Sequence, residues 1–361
     1  MFDDEIIPVS PDQSAFDFMG ELPGVGERFD VAIVGVTGLV GKTLLRLLKV
    51  RNFPIKSLHV YASDASSGRW MDSPFGQLYI EKLDTKKPPS HDIVFMAAGS
   101  SVARKWGWRL ARKAGILVDK SSYFRNKDYA PLIVPEVNPG TIRNHRGIIA
   151  NPNCTTIPLV TALAPLHKRY QLKSLVVVTF QSVSGAGKDA MIALERELGD
   201  PDAPPTVFPH RIAYNAIPWV GGRIGDSSEE EYKLVHETRR ILDAPRLSIR
   251  ATAVRIPTMI GHCLAVHAQF RKSVKVSEVY ELMNKAESVT VIDDIENNVY
   301  PTPLESSRRG DEVLVGRIRS DRGRHGLAMW VVANNLRKGA ATNAVQIVEK
   351  AISEGLLRQS D

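Results

Sequence analysis

The stretch Phe29-Asp-Val-Ala-Ile-Val-Gly35-Val-Thr-Gly38-Leu-Val-Gly41 determines the fold prediction for the first half of the chain. The apolar run over 29–35 predicts a strand, and Val40, Leu44 and Leu47 recur at the spacing of a helix. Glycines at such a junction let the backbone approach a pyrophosphate, which the N–H groups at the start of the helix can bind. The spacing is GxxGxxG, so a tight turn that needs glycine for packing is the alternative to the favoured dinucleotide site.

The pattern of strands and helices separates two parts of the chain. Up to residue 150, apolar runs alternate with amphipathic helices, which predicts parallel strands in a doubly wound sheet. The strands predicted there cover 29–35, 55–62, 92–98, 116–119 and 147–150. After residue 155, strands are predicted at 172–183, 248–256, 263–270, 312–318 and 327–334, and helices at 156–169, 186–198, 228–242, 276–287 and 339–355.

These elements predict an α/β fold. It consists of an N-terminal Rossmann-like, doubly wound parallel sheet and an α+β domain with a mixed or antiparallel sheet. The segment 200–227 is rich in proline and glycine, which predicts a long irregular excursion over the surface.

The composition is that of a globular protein of about two domains: 361 residues, 43% hydrophobic and 24% charged. The net charge is +7, yet residues 1–27 hold seven acidic residues and no lysine or arginine. This start predicts an acidic extension, because a transit peptide is basic and a signal peptide has an apolar stretch. No nucleic-acid-binding motif accompanies the basic remainder, so an anionic small molecule or a phosphorylated cofactor accounts for its charge.

The cysteine count and the apolar runs predict a cytoplasmic location. Two cysteines, Cys154 and Cys263, exclude a disulfide framework and favour a reducing compartment. No apolar run approaches the ~18 residues that a membrane-spanning helix needs. We therefore expect neither a membrane nor a nucleic acid as a partner.

The residues after the second predicted strand favour NADP over NAD. An acidic residue at this position binds the ribose diol of NAD, whereas hydroxyl and basic groups accept the 2′-phosphate of NADP. The run contains Ser63, Ser66 and Arg69, which favour NADP, and also Asp64, which keeps NAD as an alternative.

Cys154 is the candidate nucleophile. It lies in Asn151-Pro-Asn153-Cys154-Thr155, between a predicted strand and a predicted helix. A helix start stabilises a thiolate, and its N–H groups can bind an oxyanion formed when the sulfur attacks a carbonyl. The alternative is a buried structural cysteine, which the polar neighbours make less suitable here and which Cys263 fits better.

Two further segments offer partners for this thiol. Arg255 can bind a carboxylate, and His262 can relay a proton to and from the sulfur. Gln181 ends a predicted strand in the glycine-rich turn Gln181-Ser-Val-Ser-Gly-Ala-Gly187 and can project into the same cleft. A structural turn is an equal alternative for this last motif.

Taken together, these motifs resemble the aspartate-semialdehyde dehydrogenase family. The resemblance also includes Ser121-Ser-Tyr-Phe-Arg125, Val134-Pro-Glu-Val-Asn138 and Asn335-Leu-Arg-Lys-Gly-Ala-Ala341, in the family's order. It extends from about residue 30 to about residue 355.

The resemblance implies an NADP-dependent enzyme with two domains, an NADP-binding domain over 29–153 and a catalytic and oligomerisation domain over 154–335. An acidic extension over 1–28 precedes them, and a helix over 336–361 returns to the NADP-binding domain. In the family pattern Cys154 is the nucleophile, His262 the acid/base and Gln181 the group that orients the intermediate. The enzyme would be a homodimer or a homotetramer, and we predict no metal site.

The resemblance also implies the binding residues. Arg255 would hold the substrate α-carboxylate, Glu230 the α-ammonium, and Lys233, Arg125 and Asn153 the phosphoryl group. The cofactor contacts would be Gly35, Thr37, Gly38, Leu39, Val40, Gly41, Ser63, Ser66, Gly185 and Asn335. For Glu230 and Lys233 a solvated helix face is the alternative, because three glutamates stand in a row at 229–231. The family often has arginine where this chain has Ala65, and asparagine where it has Lys120.

The implied reaction is the NADPH-dependent reductive dephosphorylation of L-4-aspartyl phosphate to L-aspartate 4-semialdehyde. It proceeds through a cysteine thioester, in the pathway to lysine, threonine, methionine and isoleucine. The first alternative is N-acetyl-glutamyl-phosphate reductase, whose substrate has a blocked amine, and glyceraldehyde-3-phosphate dehydrogenase is a more distant one. A catalytically silent NADP-binding relative is the alternative outside enzymes.

Overall fold

The computed structural model describes residues 27–84 and 86–358, which form two compact units. The first unit contains the described residues up to Pro152 and from Ala340 onward, and the second unit contains Asn153–Gly339. Residues 1–26 of the predicted acidic extension lie outside the described residues, as do residues 359–361. Within the described part, none of the helices combines the length and apolar character needed to span a membrane.

The first two helices separate strands of the first unit, and four strands follow one another between them. The elements of the first unit are β1 Phe29–Val34, α1 Leu39–Val50, β2 Ile55–Tyr61, β3 Trp70–Ser73, β4 Gly76–Glu81, β5 His91–Met96, α2 Ser100–Ala111, β6 Ala114–Asp119, β7 Ile148–Ala150 and, from the end of the chain, α8 Thr342–Ser353. In the second unit they are α3 Thr156–Tyr170, β8 Leu172–Gln181, α4 Lys188–Gly199, β9 Arg223–Ile224, β10 Ser227–Ser228, α5 Glu229–Ile241, β11 Ser248–Arg255, β12 His262–Phe270, α6 Val276–Asn284, β13 Val289–Val291, α7 Pro303–Arg309, β14 Val313–Ser320 and β15 Gly326–Ala333.

The described residues of the first unit build a seven-stranded sheet in the order β3-β4-β2-β1-β5-β6-β7. Its neighbouring strands pair in parallel, apart from the antiparallel pair β3–β4 at one edge. The parallel sheet confirms the predicted fold class. The edge hairpin is absent from the prediction because its strands are short and carry exposed side chains such as Trp70, so they lack a clear apolar signal.

The second unit has a six-stranded mixed sheet in the order β11-β8-β12-β15-β14-β13. The pairs β11–β8 and β13–β14 are parallel, and the others are antiparallel. Helix α3 is buried along most of its length and packs against β12, β14 and β15. This arrangement confirms the α+β domain with a mixed sheet, and it places the ends of β8 and β11 and the start of β12 at one edge.

The segment between α4 and α5 is largely irregular. It runs from Asp200 to the short hairpin formed by β9 and β10. The buried carboxylate of Glu197 fixes part of it, because its Oε2 accepts hydrogen bonds from the backbone N–H groups of Ile212 at 2.7 Å and Ala213 at 3.0 Å. The Glu197 carboxylate therefore satisfies these two backbone N–H groups, as a helix or strand would elsewhere.

Element boundaries differ from the predictions by a few residues. Helix α6 ends at Asn284 instead of 287, and α8 begins at Thr342 because a π-helical segment occupies Arg337–Ala341. Helix α7 and strand β13 are missing from the prediction because both are short. Helix α7 has seven residues, which is less than two full turns, and strand β13 has three.

Candidate active site

The loop before α3 holds Cys154 in a fixed position. Asn153 Oδ1 accepts hydrogen bonds from the backbone N–H of Thr155 at 2.9 Å and from its hydroxyl at 2.7 Å. The backbone N–H of Asn153 donates to the buried carboxylate of Glu237 at 2.6 Å. A Cβ on Gly339 would lie 3.3 Å from Cys154 Cβ, so this glycine leaves room for the cysteine.

Cys154 itself is half-buried at the amino end of a long helix. The first turn of α3 contains no acidic residue, so the partial positive charge of the helix start is not offset within it. This environment favours a thiolate and provides N–H groups for an oxyanion. Cys263 differs, because it is buried in β12 and burial raises the pKa of its thiol to about 12.

His262 begins β12 and is fully buried. Its Nδ1 accepts a hydrogen bond from the backbone N–H of Ser182 at 3.1 Å. Because a backbone N–H can only donate, the neutral ring carries its proton on Nε2. Burial, together with the nearby positive charge of Arg255, lowers the pKa of His262 to about 3. Nε2 has no hydrogen-bond partner among residues 27–84 and 86–358.

Arg255 ends β11 and is also buried. Its Nη1 donates to the carbonyl of Ser182 at 2.6 Å, whereas its buried Nε has no hydrogen-bond partner within the described part of the chain. Burial lowers the pKa of Arg255, and the negative charges of Glu230 and Cys154 act in the opposite direction. The guanidinium therefore lies within electrostatic reach of both groups.

Gly185 keeps the space beside these two side chains open. A Cβ at this position would lie 3.0 Å from Arg255 Nη1 and 3.2 Å from His262 Nε2. The family resemblance implies that Gly185 binds the cofactor. The structure places it in the second unit, directly against the imidazole and the guanidinium.

Glu230 and Lys233 lie on α5, which a capping box of Ser228 and Glu231 begins. Glu230 Oε2 accepts from Asn153 Nδ2 at 2.9 Å, and its Oε1 accepts from Lys233 Nζ at 2.9 Å. Lys233 also pairs with Glu229 at 2.8 Å. Burial alone would lower the pKa of Lys233, but the two carboxylates raise it above its ordinary value. The side chains of Glu230 and Lys233 are 12% and 18% exposed, so this is not a solvated helix face.

Gln181 and Asn335 are buried in the same unit. Gln181 ends β8, and its Nε2 donates to the hydroxyl of Thr179 at 3.2 Å. Asn335 Oδ1 accepts from the backbone N–H of Gly261 at 2.9 Å, and its Nδ2 donates to the hydroxyl of Ser184 at 2.9 Å. These bonds join the turn after β8 to the residue before His262, so Asn335 holds the frame in which the imidazole lies.

The glycine turn of the first unit borders a cavity of about 790 Å³. The predicted cofactor residues Gly35, Thr37, Gly38 and Ser63 line it, and Leu39, Val40, Gly41 and Ser66 do not. Helix α1 begins after Gly38, with no capping side chain among the described residues, so its first N–H groups are available to a phosphate. Lys82 and Trp106 also line the cavity, and no motif in the sequence indicated them.

Packing and binding requirements fall on different glycines of this turn. A Cβ on Gly41 would lie 2.3 Å from the carbonyl oxygen of Gly35, so Gly41 is required for packing. A Cβ on Gly38 would come no closer than 3.4 Å to any atom outside its neighbours, and Gly38 lines the cavity. The packing interpretation of the glycine motif therefore holds at Gly41, and the dinucleotide interpretation stays a prediction at Gly38.

The end of β2 carries the charges that bear on cofactor choice. Asp64 lines the cavity and forms an ion pair with Lys82 at 2.8 Å. Arg69 Nε donates to the carbonyl of Ser66 at 3.2 Å, which folds the guanidinium back over the turn. Asp64, whose carboxylate kept NAD as an alternative, is thus paired with the ammonium group of Lys82.

Arg125 lies in the first unit and is buried. Its Nη2 donates to the carbonyl of Lys120 at 2.6 Å. Nearby Asp119 is fully buried, and this burial raises the pKa of its carboxyl group to about 6. The assignment of Arg125 to the phosphoryl group stays a prediction.

The structure brings six predicted site residues together within the second unit: Cys154, Asn153, Glu230, Lys233, Arg255 and His262.

Comparison with known proteins places each unit in the same family. Residues 30–145 match the family model described as semialdehyde dehydrogenase, NAD binding domain, and residues 163–338 match semialdehyde dehydrogenase, dimerisation domain. The chain is 41% identical over 339 residues to an aspartate-semialdehyde dehydrogenase of Aquifex aeolicus, covering 91% of this chain and 99% of the relative. It is 40% identical to the Legionella pneumophila enzyme, covering 93% and 99%.

A solved structure gives the same result for the fold. Aspartate semialdehyde dehydrogenase II from Vibrio cholerae, complexed with ASA, superposes with a TM-score of 0.86 at 35% identity, covering 91% of this chain and 99% of that chain.

Proposed function

Because the chain belongs to the aspartate-semialdehyde dehydrogenase family of oxidoreductases, we propose that it reduces L-4-aspartyl phosphate to L-aspartate 4-semialdehyde with NADPH, releasing phosphate. One observation carries this proposal. Two buried donor atoms, Arg255 Nε and His262 Nε2, lack protein partners in the described chain, and both belong to side chains that flank Gly185. A buried donor without a partner is costly, so two such donors side by side support an anionic ligand at this site.

The first step forms a thioester on Cys154. The thiolate attacks the acyl carbon of the aspartyl phosphate, a carbon–sulfur bond forms, and the carbon–oxygen bond to phosphate breaks as phosphate takes the electron pair. The N–H groups at the start of α3 stabilise the negative charge on the carbonyl oxygen during this attack.

A nicotinamide cofactor held by the first unit would supply the hydride that reduces the thioester carbon. His262 acts through the proton on Nε2. This N–H donates a hydrogen bond to the oxygen that becomes negative and stabilises its charge until the carbon–sulfur bond breaks, the sulfur leaves with the electron pair as a thiolate, and the aldehyde is released. The bond from Ser182 to Nδ1 holds the ring in the required tautomer.

The charged groups of the second unit match the substrate. Arg255 offers its unpartnered Nε to the α-carboxylate. Glu230 lies within electrostatic reach of Arg255 and His262, which suits a free α-ammonium. Lys233, Asn153 and, by the family pattern, Arg125 would bind the phosphoryl group. An N-acetylated substrate has no ammonium for Glu230, so this carboxylate favours the aspartate substrate over the N-acetyl-glutamyl one.

The residues of the first unit fit a phosphorylated dinucleotide. The glycine turn offers backbone N–H groups, and Lys82 lines the cavity together with Ser63, where a 2′-phosphate would bind. Arg69 bonds to the carbonyl of Ser66 in the same turn. Since Lys82 neutralises Asp64, we propose NADP as the cofactor.

We also propose a homo-oligomer, because residues 163–338 match a dimerisation domain. Light scattering distinguishes a dimer from a tetramer, and the cytoplasmic location stays a prediction.

The nucleophile is tested with Cys154→Ala, and Cys263→Ala is the matched control. We expect Cys154→Ala to lower kcat for phosphate-dependent reduction of NADP with L-aspartate semialdehyde by more than about 10,000-fold, because no other thiol can form the thioester. Cys263→Ala keeps most of the activity, since this thiol is buried in a strand. Full activity of a folded Cys154→Ala enzyme would show that the mechanism is wrong.

The substrate and cofactor are tested by steady-state kinetics. We expect kcat/KM for L-aspartate semialdehyde to exceed that for N-acetyl-glutamate semialdehyde, and NADP to be preferred over NAD. The opposite preference in either pair would contradict the corresponding part of the proposal. Binding of NADPH without turnover of either substrate would instead indicate a catalytically silent relative.

A further inference from the structure

Three side chains from neighbouring strands of the first unit converge near the amino ends of β1 and β5. Asp30 lies on β1, His59 on β2 and His91 on β5. One ligand atom of each lies within 4.8 Å of the others. The glycine turn follows the carboxyl end of β1, so this cluster is separate from the cofactor cavity.

The spacing of the three atoms fits a tetrahedral metal site. Asp30 Oδ1 is 3.2 Å from His91 Nδ1 and 3.5 Å from His59 Nε2. Zinc bonds of about 2.0–2.1 Å in tetrahedral geometry place neighbouring ligand atoms roughly 3.3–3.4 Å apart. Asp30 Oδ1 and His91 Nδ1 are buried and do not form a hydrogen bond with each other or with any other described residue, despite their short separation.

The remaining nitrogen of each imidazole already has a polar neighbour. His59 Nδ1 lies 3.1 Å from the carboxylate of Glu81, and His91 Nε2 lies 3.0 Å from the hydroxyl of Tyr61. When His59 donates its proton to Glu81, its Nε2 lone pair faces the Asp30 oxygen, and a cation between the two atoms would make that approach favourable. Histidines that bind metal are held in this way by a second partner.

The exposure of the cluster also suits a metal ligand set. The side chains of Asp30 and His59 are 30% and 37% exposed, which leaves a path for an ion from solvent.

We propose that Asp30, His59 and His91 bind a divalent transition-metal ion of the zinc type, which joins β1, β2 and β5. Two imidazoles and one carboxylate favour zinc, nickel or copper, whereas magnesium and calcium prefer oxygen ligands. The three ligands are far apart in the sequence and form no short motif, so the sequence analysis predicts no metal site.

The proposal is tested by calorimetric titration of the full chain with zinc chloride. We expect a zinc site that is lost, or weakened by at least about 10-fold, in Asp30→Asn and in His59→Gln. Glu81→Gln weakens binding by about 10–100-fold, since Glu81 orients His59 without binding the ion. The matched control is His267→Gln, because His267 pairs with Asp321 at 2.8 Å in the second unit without a third ligand.

Two further measurements separate the outcomes. Zinc bound at Cys154 disappears in Cys154→Ala and persists in His59→Gln, whereas the proposed site behaves in the opposite way. Melting temperatures in a chelator confirm that the variants are folded, and added zinc raises the melting temperature of the unaltered chain but not that of Asp30→Asn. Equal zinc affinity in the unaltered chain and His59→Gln, or no zinc site at all in the unaltered chain, would overturn the proposal.

Discussion

Helices α1 and α3 both begin directly after a loop that follows a strand, and the two loops are built in opposite ways. The loop before α1 consists of glycines and small residues and has no capping side chain among the residues described. The loop before α3 is filled by Asn153 and Thr155, which bond to each other, and the backbone N–H of Asn153 donates to the buried Glu237. The first helix start offers its backbone to a ligand, and the second presents a reactive side chain.

The difference separates binding from chemistry. At α1 the N–H groups and the partial charge of the helix can hold a phosphate without any ionisable side chain. Around the start of α3, a buried arginine, a buried histidine and a glutamate–lysine pair act on one another electrostatically. Substitutions at the two helix starts should therefore produce different kinetic defects.

After Cys154→Ala, the largest effect is expected from His262→Gln. Loss of the imidazole N–H lowers kcat by about 100- to 1,000-fold, because the oxygen that becomes negative loses the donor that Ser182 holds in place. The dissociation constant for NADPH, measured by fluorescence titration, stays within about 2-fold, since the cofactor cavity lies in the first unit. A variant that loses NADPH binding together with kcat would contradict the separation of the two regions.

Gly41→Ala tests the comparison from the other side. The added Cβ would lie 2.3 Å from the carbonyl oxygen of Gly35, and backbone atoms cannot move aside easily. We expect a cost of about 1–3 kcal/mol in the free energy of unfolding, measured with urea, with an unchanged rate of alkylation of Cys154 by iodoacetamide. Gly140→Ala is the control, because a Cβ there meets nothing within 4 Å.

The sequence predicts the first of these regions better than the second. Glycines are visible as letters, so Gly35, Gly38 and the alternation of strands and helices were sufficient to predict the parallel sheet and its turn. Cys154 and His262 could be selected by their local motifs. The hydrogen bonds that hold these two residues in place could not be predicted from local motifs, because Ser182, Asn335 and Glu237 contact the site from segments that are distant along the chain.

The same reason explains the other omissions. The ion pair of Asp64 with Lys82 joins the end of β2 to the residue after β4, and the β3–β4 hairpin between them lacks an apolar pattern. The role of Gly185 depends on an arginine and a histidine that follow it by some seventy residues or more. Periodicity and motif spacing describe a single segment, and these features depend on how several segments pack.

A smaller effect is expected in the pH dependence of stability. The pKa of His262 is lowered to about 3 in the folded chain and is ordinary, near 6.5, in the unfolded chain. Below pH 6.5 the unfolded state binds the proton and the folded state does not, so stability falls as pH falls. At pH 5 this single group removes about 2 kcal/mol of unfolding free energy relative to pH 7.

Urea unfolding at pH 7 and pH 5 measures this contribution. His262→Gln should lose about 2 kcal/mol less than the unaltered chain between the two pH values. No comparable difference is expected for Lys82→Gln, because that substitution leaves the buried imidazole in place. Parallel losses in the unaltered chain and in His262→Gln would show that the buried imidazole does not control the acid sensitivity of the second unit.

The smallest effect is expected at the cavity beside α1, from Lys82→Gln. Lys82 is exposed and pairs with the exposed Asp64, so its contribution to a bound 2′-phosphate is about 0.2–1 kcal/mol. We expect the KM for NADPH to rise roughly 1.5- to 5-fold, whereas the KM for NADH stays the same or falls. Asp64→Asn should lower the KM for NADPH, because it removes the carboxylate that competes for the lysine. If Lys82→Gln raised both KM values equally, the lysine would act on a group that the two cofactors share, and the preference for NADP would have to arise from Ser63 and Arg69.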